Sequence, residues 1–402
     1  MNREPIRVLH VIEATLGGVR RYVEGMVQAF ANEDFSPPGL VYSTERNDVQ
    51  FAAVLSELRD AGWHLFEVPM RREPSPGSDL KALLEIRRAI KSFQPHIVHG
   101  HSSKGGALAR LATKTTMRKR PQAYYSPHAI AVGLGMHYRA IEWVLGRFAT
   151  DAIVAVSESE RLEVELSGVL GGEVKTNVAW PVIDPEEFKG EDRAAARSSL
   201  NLDPERPIIV TVGRLTKQKD PETFLNVIAK VREAYPDVLA IWVGDGDLKG
   251  AFEAGIRTRS LEANIELTGW QDDVRPYLSA ADVMLLPSLY ESFGYVTAEA
   301  MAMGLPVVAT KVTGTIDIIR DTTLGCLFQP GDWTKGAEMV VRLLRAPQER
   351  KRYADRGRRF ISTTFTSLNM RNDFRQAYGL RETHAEQAPP RFEEASAVRG
   401  AR

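Results

Sequence analysis

Two glutamates close together in the sequence are the side chains best suited to chemistry in this chain of 402 residues. Glu291 and Glu299 have seven residues between them, including the Phe293-Gly294 step, and the apolar run Val307–Ala309 follows shortly afterwards. Paired carboxyl groups are a common device for general acid and base catalysis. By residue type and spacing alone, the two glutamates suggest an acid and base pair held in a compact turn and helix.

Two cations follow another apolar run, Ile208–Val212. Arg214 lies two residues after the end of this predicted strand, and Lys219 lies near the start of the next predicted helix. Such a pair suits a diphosphate, because arginine offers a planar fork of donors and lysine offers a point charge. The alternative is a pair of solvated surface cations.

The pair Gly17-Gly18 follows the first apolar run of the chain. Two glycines let backbone N–H groups approach a phosphate at the N-terminus of a helix, although a tight turn explains the pair equally well. The full G-x-G-x-x-G spacing is missing, which argues against a nicotinamide or flavin dinucleotide site.

Histidines lie at or near the ends of apolar runs in the first half of the chain. His96, His99 and His101 surround one run, but no cysteine or acidic cluster accompanies them. We therefore predict a structural role for them in preference to a metal site. His128 lies between the end of a run and a loop of small residues, where structural and functional roles are both open.

Short apolar runs alternate with helix-length amphipathic stretches throughout the chain. Most runs are apolar without alternation, which is typical of parallel strands covered on both faces. The predicted strands are Ile6–Ile12, Leu40–Tyr42, His64–Val68, Ile97–His99, Ala123–Ser126, Ala152–Val156, Ile208–Val212, Leu239–Val243, Ile265–Leu267, Val283–Leu286, Val307–Ala309 and Gly325–Phe328. This alternation predicts doubly wound α/β sheets, whose ligands bind beyond the carboxyl ends of the strands.

The alternation restarts once, after a segment near the middle that contains prolines and many charges. We therefore predict two α/β domains with an active site in the cleft between their sheets. The predicted divisions are an N-terminal domain at 1–182, a linker at 183–204, a C-terminal domain at 205–360, a final helical segment at 361–385 and a disordered tail at 386–402.

Composition excludes several classes of protein. Lys plus Arg equals Asp plus Glu at 52 each, so the net charge gives no general attraction for nucleic acid or an anionic membrane. The single cysteine, Cys326, excludes an internal disulfide and fits a reducing compartment. No apolar run approaches the ~20 residues of a membrane span, and the N-terminal residues lack the apolar centre of a signal peptide. We expect a cytoplasmic protein without nucleic-acid partners, with any membrane contact peripheral.

Several motifs together resemble the retaining glycosyltransferases of family four. They are Gly213-Arg214-Leu215 with Lys219, Glu291-Ser292-Phe293-Gly294, and Glu299-Ala300-Met301-Ala302. The two glutamates with seven residues between them and Phe-Gly inside are the most specific part. The resemblance extends to about Leu380 and implies the GT-B architecture, in which two Rossmann-like domains face each other across a cleft. It also implies that a C-terminal helix returns to the N-terminal domain.

The resemblance implies that the C-terminal domain binds a nucleotide-sugar donor. Arg214 and Lys219 would hold the diphosphate, so that no metal ion and no other cofactor is needed. Glu291 would contact sugar hydroxyls and Glu299 the ribose hydroxyls, which replaces the acid and base interpretation. The backbone N–H groups of the Phe293-Gly294 step would face sugar and phosphate oxygens.

Further contacts implied by the resemblance come from both domains. In the N-terminal domain, Gly17 and Gly18 would reach the phosphate and His128 the transferred sugar. In the C-terminal domain, the segments around Gly244 and Asp245, and from Trp270 to Val274, would contact the base.

The expected activity is retaining transfer of a hexose-type sugar, from a UDP-sugar in preference to a GDP-sugar. The expected acceptor is a carbohydrate or a polyprenyl-linked oligosaccharide, as in exopolysaccharide, capsule or O-antigen synthesis. A nucleotide-sugar epimerase or an inactive nucleotide-sugar-binding protein of the same fold are the alternatives. The basic segment Arg118-Lys119-Arg120 either contacts the cytoplasmic face of the inner membrane or is a solvated loop.

Overall fold

The computed structural model describes residues 4–47, 50–116, 120–129, 136–172 and 174–380. In the N-terminal half the elements are β1 (Val8–Ile12), α1 (Gly17–Ala29), β2 (Gly39–Tyr42), α2 (Phe51–Asp60), β3 (His64–Glu67), α3 (Pro76–Phe93), β4 (Ile97–His101), α4 (Ser103–Lys114), β5 (Gln122–Ser126), α5 (Met136–Ala149), β6 (Ala152–Ala155), α6 (Glu158–Leu166) and β7 (Lys175–Val178). In the C-terminal half they are α7 (Arg193–Ser199), β8 (Ile208–Val212), α8 (Pro221–Ala234), β9 (Leu239–Val243), α9 (Lys249–Thr258), β10 (Ile265–Gly269), α10 (Arg275–Ala280), β11 (Val283–Leu286), α11 (Tyr295–Ala302), β12 (Val307–Thr310), α12 (Thr315–Ile318), β13 (Cys326–Phe328), α13 (Trp333–Arg345), α14 (Pro347–Thr364) and α15 (Ser367–Ala377).

Each half of the chain forms one parallel sheet. The strand order is β3-β2-β1-β4-β5-β6-β7 in the first sheet and β10-β9-β8-β11-β12-β13 in the second. In both sheets the order reverses beside the first strand, between β1 and β4 and between β8 and β11. A ligand site is expected at such a switch point, because the loops that leave the two strands there turn in opposite directions.

The predicted α/β fold with two doubly wound sheets is confirmed, and each strand predicted from an apolar run is present. One strand was missed. β7 (Lys175–Val178) reads Lys-Thr-Asn-Val and lies at the edge of its sheet with its residues exposed or half-buried. An edge strand of this kind does not need a continuous apolar run, so its sequence carried little signal. The segment predicted as the linker contains α7, whose Arg197 is buried and bonded to the carbonyl of Ala280 in α10 at 2.9 Å.

The C-terminal helix α15 packs against α1 of the N-terminal domain, as the resemblance implied. Phe374 of α15 is fully buried, and its ring lies 4.9 Å from that of Phe30, which follows α1. The Tyr378 hydroxyl, just beyond α15, lies 2.8 Å from Nδ1 of His99 in β4. The helix therefore completes the core of a domain whose other elements come from the opposite end of the chain.

Side chains at the start of α6 connect the two domains by hydrogen bonds. Ser157 caps α6 and donates from Oγ to the carbonyl of Ser292 at 2.8 Å. The backbone N–H of Ser159 donates to the carboxylate of Asp317 at 3.1 Å, and its Oγ accepts from the N–H of Gly314 at 2.7 Å. These contacts hold the domains closed on one another.

Among the helices that the structure describes, none is long and apolar enough to cross a membrane.

Candidate active site

A cleft of ≈ 690 Å³ opens between the carboxyl ends of the two sheets. Its N-terminal wall includes Gly17, Gly18 and His128. Its C-terminal wall includes, among others, Arg214, Lys219, Glu291 and Gly294. The structure therefore brings to one place most of the residues to which the sequence analysis gave phosphate or sugar contacts.

The two predicted phosphate-binding cations differ in their surroundings. Arg214 is exposed and has no ion-pair partner among the described residues. Lys219 is half-buried, and its Nζ lies 2.5 Å from Oε1 of Glu291. Its aliphatic chain crosses Gly213, where an added Cβ would come within 3.1 Å of Cε. Arg214 therefore offers an uncompensated positive charge to the cleft, whereas Lys219 and Glu291 hold each other in position.

The N-terminus of α11 points into the cleft from the C-terminal domain. Gly294 caps this helix with φ = 86°, a left-handed conformation that glycine adopts without strain. The free N–H groups and the dipole at a helix N-terminus favour an anion. The neighbouring Phe293 is fully buried, with its ring 5.1 Å from Phe365 and 6.3 Å from Trp180, and lies outside the cleft lining. Its ring anchors the turn, so only its backbone could meet a ligand.

The N-terminus of α1 faces the same cleft from the other side. Gly17 begins the helix with φ = 58°. At Gly18 an added Cβ would lie 3.4 Å from the ring of Tyr295, the first residue of α11. The helix starts of the two domains therefore come close together, and glycine at position 18 leaves room for the tyrosine ring.

His128 lies in the cleft after β5, in a strained backbone conformation with φ = 55°. Its Nε2 is 2.9 Å from Nδ1 of His101, whose Nε2 is 3.0 Å from Nδ1 of His10. Burial lowers the pKa of His10 and of His128 to about 3, and it lowers the pKa of His101 well below its ordinary value. All three rings are therefore neutral at physiological pH.

Glu160 fixes the loop that carries His128. Its Oε1 accepts the N–H of Ala129 at 2.6 Å, and its Oε2 accepts the N–H of Val156 at 2.8 Å. Burial raises the pKa of Glu160 to about 7, although the two backbone donors favour its charged form. The Glu160 carboxylate therefore ties the residue after His128 to the end of β6.

Glu299 lies in a second cavity, of ≈ 520 Å³, and not in the lining of the cleft. Its Oε1 is 3.7 Å from Nε of Arg21, which also pairs with Glu187 at 2.6 Å. Burial raises the pKa of Glu299, and the charge of Arg21 opposes this shift. Tyr295 lines both cavities, so its ring lies between the Glu299 side and the Glu291 side of the site.

The residues with predicted base contacts lie at the ends of β9 and β10, outside the lining of the cleft. Gly244 and Asp245 follow β9, and Asp245 is exposed. Trp270 is 56% exposed and donates from Nε1 to Asp272 at 3.1 Å, while Val274 packs against the core. The structure therefore does not bring these four residues to the cleft itself.

Sequence reasoning missed several residues of the cleft. Arg46, which follows β2, donates to both carboxylate oxygens of the buried Glu13 at 3.0 and 3.1 Å. Tyr295 and Ser102 line the cleft with hydroxyl groups that are buried and have no hydrogen-bond partner among the described residues. Ser102 lies between the end of β4 and the start of α4, and this place at a strand end was a usable signal.

The fold is that of the GT-B architecture, with two Rossmann-like domains that face each other across a cleft lined by Arg214, Lys219 and the starts of α1 and α11. Residues 17–176 match the family model described as glycosyl transferase 4-like domain, and residues 192–360 match that described as glycosyl transferases group 1. Alpha-D-kanosaminyltransferase of Streptomyces kanamyceticus is 30% identical over 293 residues, which are 68% of this chain and 75% of that protein. The chain belongs to the group 1 glycosyltransferases.

Two further similarities cover more of the chain. UDP-Gal:alpha-D-GlcNAc-diphosphoundecaprenol alpha-1,3-galactosyltransferase of Escherichia coli is 26% identical over 354 residues, which are 84% of this chain and 88% of that protein. The crystal structure of Anabaena HepE in complex with UDP and glucose has a TM-score of 0.78 at 18% identity, and the match covers 93% of this chain and 99% of that one. At this identity the structural similarity shows the shared GT-B fold.

Proposed function

We propose that this protein transfers a hexose-type sugar from a UDP-sugar to a carbohydrate or polyprenyl-linked acceptor, with retention of anomeric configuration and without a divalent metal. The observation that carries the proposal is the exposed Arg214, which has no ion-pair partner in the part of the chain that the structure describes. It lies beside the Lys219–Glu291 ion pair in a cleft between two Rossmann-like domains. The choice of UDP is supported by the two proteins named above, one of which has UDP-Gal in its name and the other UDP in its crystal.

Charge stabilisation is the chemistry that these residues can supply. As the bond between the anomeric carbon and the diphosphate breaks, positive charge develops on the sugar ring and negative charge on the leaving diphosphate. Arg214, Lys219 and the N-terminus of α11 would stabilise the diphosphate, as a metal ion does in other transferases. The acceptor hydroxyl bonds to the anomeric carbon on the face that the diphosphate leaves, and its proton passes to a diphosphate oxygen.

Glu291 would bind sugar hydroxyls and would not act as a covalent nucleophile. Its carboxylate is already held by Lys219 at 2.5 Å, which suits a fixed hydrogen-bond acceptor. Glu299 would accept hydrogen bonds from the ribose hydroxyls. This division of roles places the two glutamates at opposite ends of one donor molecule.

Peripheral contact with the cytoplasmic face of the membrane is part of the proposal, because a polyprenyl-linked acceptor is embedded there. Its support is the outer face of α5, which exposes the apolar side chains Met136, Ile141, Trp143, Val144 and Phe148. Arg139 and Arg147 are exposed on the same helix, whereas its one acid, Glu142, turns inward to Arg110 at 2.9 Å. Aromatic, aliphatic and cationic side chains without exposed acids match the boundary of an anionic bilayer.

In the segment Arg118-Lys119-Arg120, residues 118 and 119 lie outside the described residues.

The catalytic proposal is tested by offering UDP- and GDP-sugars to the purified protein, with and without a lipid extract, and following products by mass spectrometry. We expect release of UDP that depends on the lipid acceptor and persists in EDTA. The coupling constant of the anomeric proton in the product would show retention. Conversion of the donor without acceptor would indicate an epimerase, and binding without turnover would indicate an inactive binding protein.

The membrane contact is tested by sedimentation with vesicles of phosphatidylglycerol and phosphatidylethanolamine. We expect binding by the wild type, and loss of binding when Ile141, Trp143 and Phe148 of α5 are all changed to serine. Changing Leu80 and Leu84, two exposed leucines of α3, to serine is the matched control and should leave binding intact. Equal vesicle binding by the wild type, the α5 variant and the α3 variant would contradict a membrane role for this face. A wild-type dimer in solution that the α5 variant abolishes would contradict it too, because the face would then be a protein interface.

A further inference from the structure

Three histidine rings form a continuous chain from the core of the N-terminal domain to the cleft. His10 and His101 are fully buried, in β1 and β4, and His128 is the end that reaches the cleft. The two ring contacts of the chain are 3.0 and 2.9 Å between nitrogens. Of the three, only His128 has an expected role, as a contact of the transferred sugar, and the two buried histidines have none.

The number of N–H protons on the three histidine rings restricts the tautomers that they can adopt. A neutral imidazole carries one N–H and one free lone pair, and each ring contact needs a donor on one side and an acceptor on the other. Because all three rings are neutral, their N–H groups must all point in the same direction along the chain. Only two arrangements satisfy this condition, one with N–H at each Nδ1 and one with N–H at each Nε2.

The buried end of the chain distinguishes the two arrangements. Nε2 of His10 has no hydrogen-bond partner among the described residues. The aromatic rings of Phe30, Trp63 and Phe374 surround His10. Unpaired buried N–H groups are rarer in proteins than unpaired acceptors. An unprotonated Nε2 is therefore the better state for His10, and the rest of the chain follows from it.

We propose that His10 and His101 are positioning residues that hold His128 as the Nδ1–H tautomer. In this state Nδ1 of His101 donates to Nε2 of His128, and the remaining N–H of His128 faces the cleft as a hydrogen-bond donor. Its partner would be a hydroxyl oxygen of the donor or acceptor sugar. The role in catalysis rests on the proposed transferase function, whereas the tautomer itself does not.

A metal cluster is the competing use of these histidines, since side-chain nitrogens of His10, His99 and His101 lie within 4.8 Å of one another. However, both nitrogens of His99 are taken, one by Tyr378 and one by Ser126, each at 2.8 Å. Both nitrogens of His101 are also hydrogen-bonded, one to His10 and one to His128. A metal would have to break these bonds in a site that has no acidic ligand among the residues described, so the hydrogen-bonded histidine chain is the better account.

The first test measures the tautomers of the wild-type protein with ¹⁵N-labelled histidine by two-bond ¹H–¹⁵N NMR correlation. We expect His10, His101 and His128 each to be protonated at Nδ1, with no change from pH 7 to 8. Protonation at Nε2, a mixture of tautomers at His128, or loss of the pattern on adding Zn²⁺ alone would overturn the proposal. This measurement gives its answer even if no nucleotide sugar is turned over.

The second test is a double-mutant cycle between His10 and His128. His10→Phe keeps the ring but cannot donate, and we expect kcat to fall about ten-fold with donor KM unchanged. In the background of His128→Ala, the same change should have no further effect on kcat. His10→Asn, whose amide N–H can replace Nδ1–H, should restore much of the activity.

Independent losses would show a merely structural role for His10 and would overturn the proposal. His64→Phe, a change of the same kind at an exposed histidine of β3, is the matched control and should leave kcat unchanged. UDP binding and thermal midpoints of all variants separate misfolding from loss of orientation. If His10→Phe does not fold, the asparagine variant and the NMR measurement still decide the question.

Discussion

Lys219 and Glu291 compensate each other's charge before any donor is bound. Their side-chain atoms are 2.5 Å apart, and both residues lie at the border of the cleft. When a diphosphate arrives, Lys219 can turn toward it while Glu291 becomes available to a sugar hydroxyl. The ion pair thus keeps each group positioned in the empty cleft, at little electrostatic penalty to the fold.

Removal of Lys219 should therefore affect the diphosphate most. For Lys219→Ala we expect kcat/KM for the nucleotide sugar to fall at least ~100-fold, because a charge that stabilises the leaving group is lost. Steady-state kinetics checks this, and the exposed neighbouring change Lys217→Ala is the matched control. A residual activity above a tenth of wild type would contradict the assigned role of Lys219.

A separate prediction concerns the ribose contact that we propose for Glu299. Glu299→Gln should weaken UDP binding about ten-fold, since a carboxylate accepts hydrogen bonds from hydroxyls more strongly than an amide does. Pyrophosphate has no ribose, so its affinity should stay the same in titration calorimetry. An equal loss for both ligands would place Glu299 near the phosphates, and no loss for either would remove it from the site.

At the scale of elements, α15 is a helix from the C-terminal end of the sequence that forms part of the hydrophobic core of the N-terminal domain. The ring of Phe374 contacts those of Phe30 and Tyr378, at centroid distances of 4.9 and 5.4 Å. The helix also covers the side of the sheet where His99 meets Tyr378 at 2.8 Å. The Phe374 ring also lies 6.4 Å from that of His10, so packing in α15 is linked directly to a histidine proposed to position His128.

Truncation of Phe374 should destabilise this domain strongly. Phe374→Ala removes a fully buried ring, and we expect the free energy of unfolding to fall by about 3–5 kcal/mol. Leu368→Ala in the same helix removes a side chain that is 39% exposed and should cost below about 1 kcal/mol. Urea denaturation followed by circular dichroism compares the two, and similar losses would contradict the packing described for α15.

For the whole molecule, buried neutral histidines predict a loss of stability in acid. Burial lowers the pKa of His10 to about 3, and it lowers the pKa of His99 and His101 well below 6.5. The unfolded chain takes up protons below pH 6.5 that these folded rings exclude, so unfolding is favoured as the pH falls. Each ring should contribute up to about 1.4 kcal/mol per pH unit in this range.

Glu160 acts in the opposite direction, which provides an internal control for this pH dependence. Its pKa is raised from 4.5 to about 7, so its contribution to stability is full below pH 4.5 and is lost as the pH rises toward 7. Glu160→Gln should therefore steepen the loss of stability between pH 6.5 and pH 5. Denaturant titrations at several pH values measure both slopes, and a wild-type stability that is flat over this range would contradict the account.

The sequence was sufficient for the fold, apart from the edge strand β7, and for several residues of both walls of the cleft. Unbroken apolar runs predicted parallel strands, and Arg214, Lys219 and Glu291 followed from their places at strand ends. The chain of His10, His101 and His128 was beyond sequence reasoning, because it joins three different strand regions through ring orientation. The contact of Tyr295 with Gly18 was beyond it too, since it depends on how closely the two domains approach.

That contact has a kinetic consequence. Tyr295 lies against Gly18 and lines both cavities, whereas Glu291 lines only one and Glu299 only the other. In the proposed binding mode, with the sugar at Glu291 and the ribose at Glu299, the diphosphate would lie next to this ring. We therefore expect the two domains to part before a donor can bind. At saturating donor, the rate of association would report the frequency of domain opening instead of the frequency of collision.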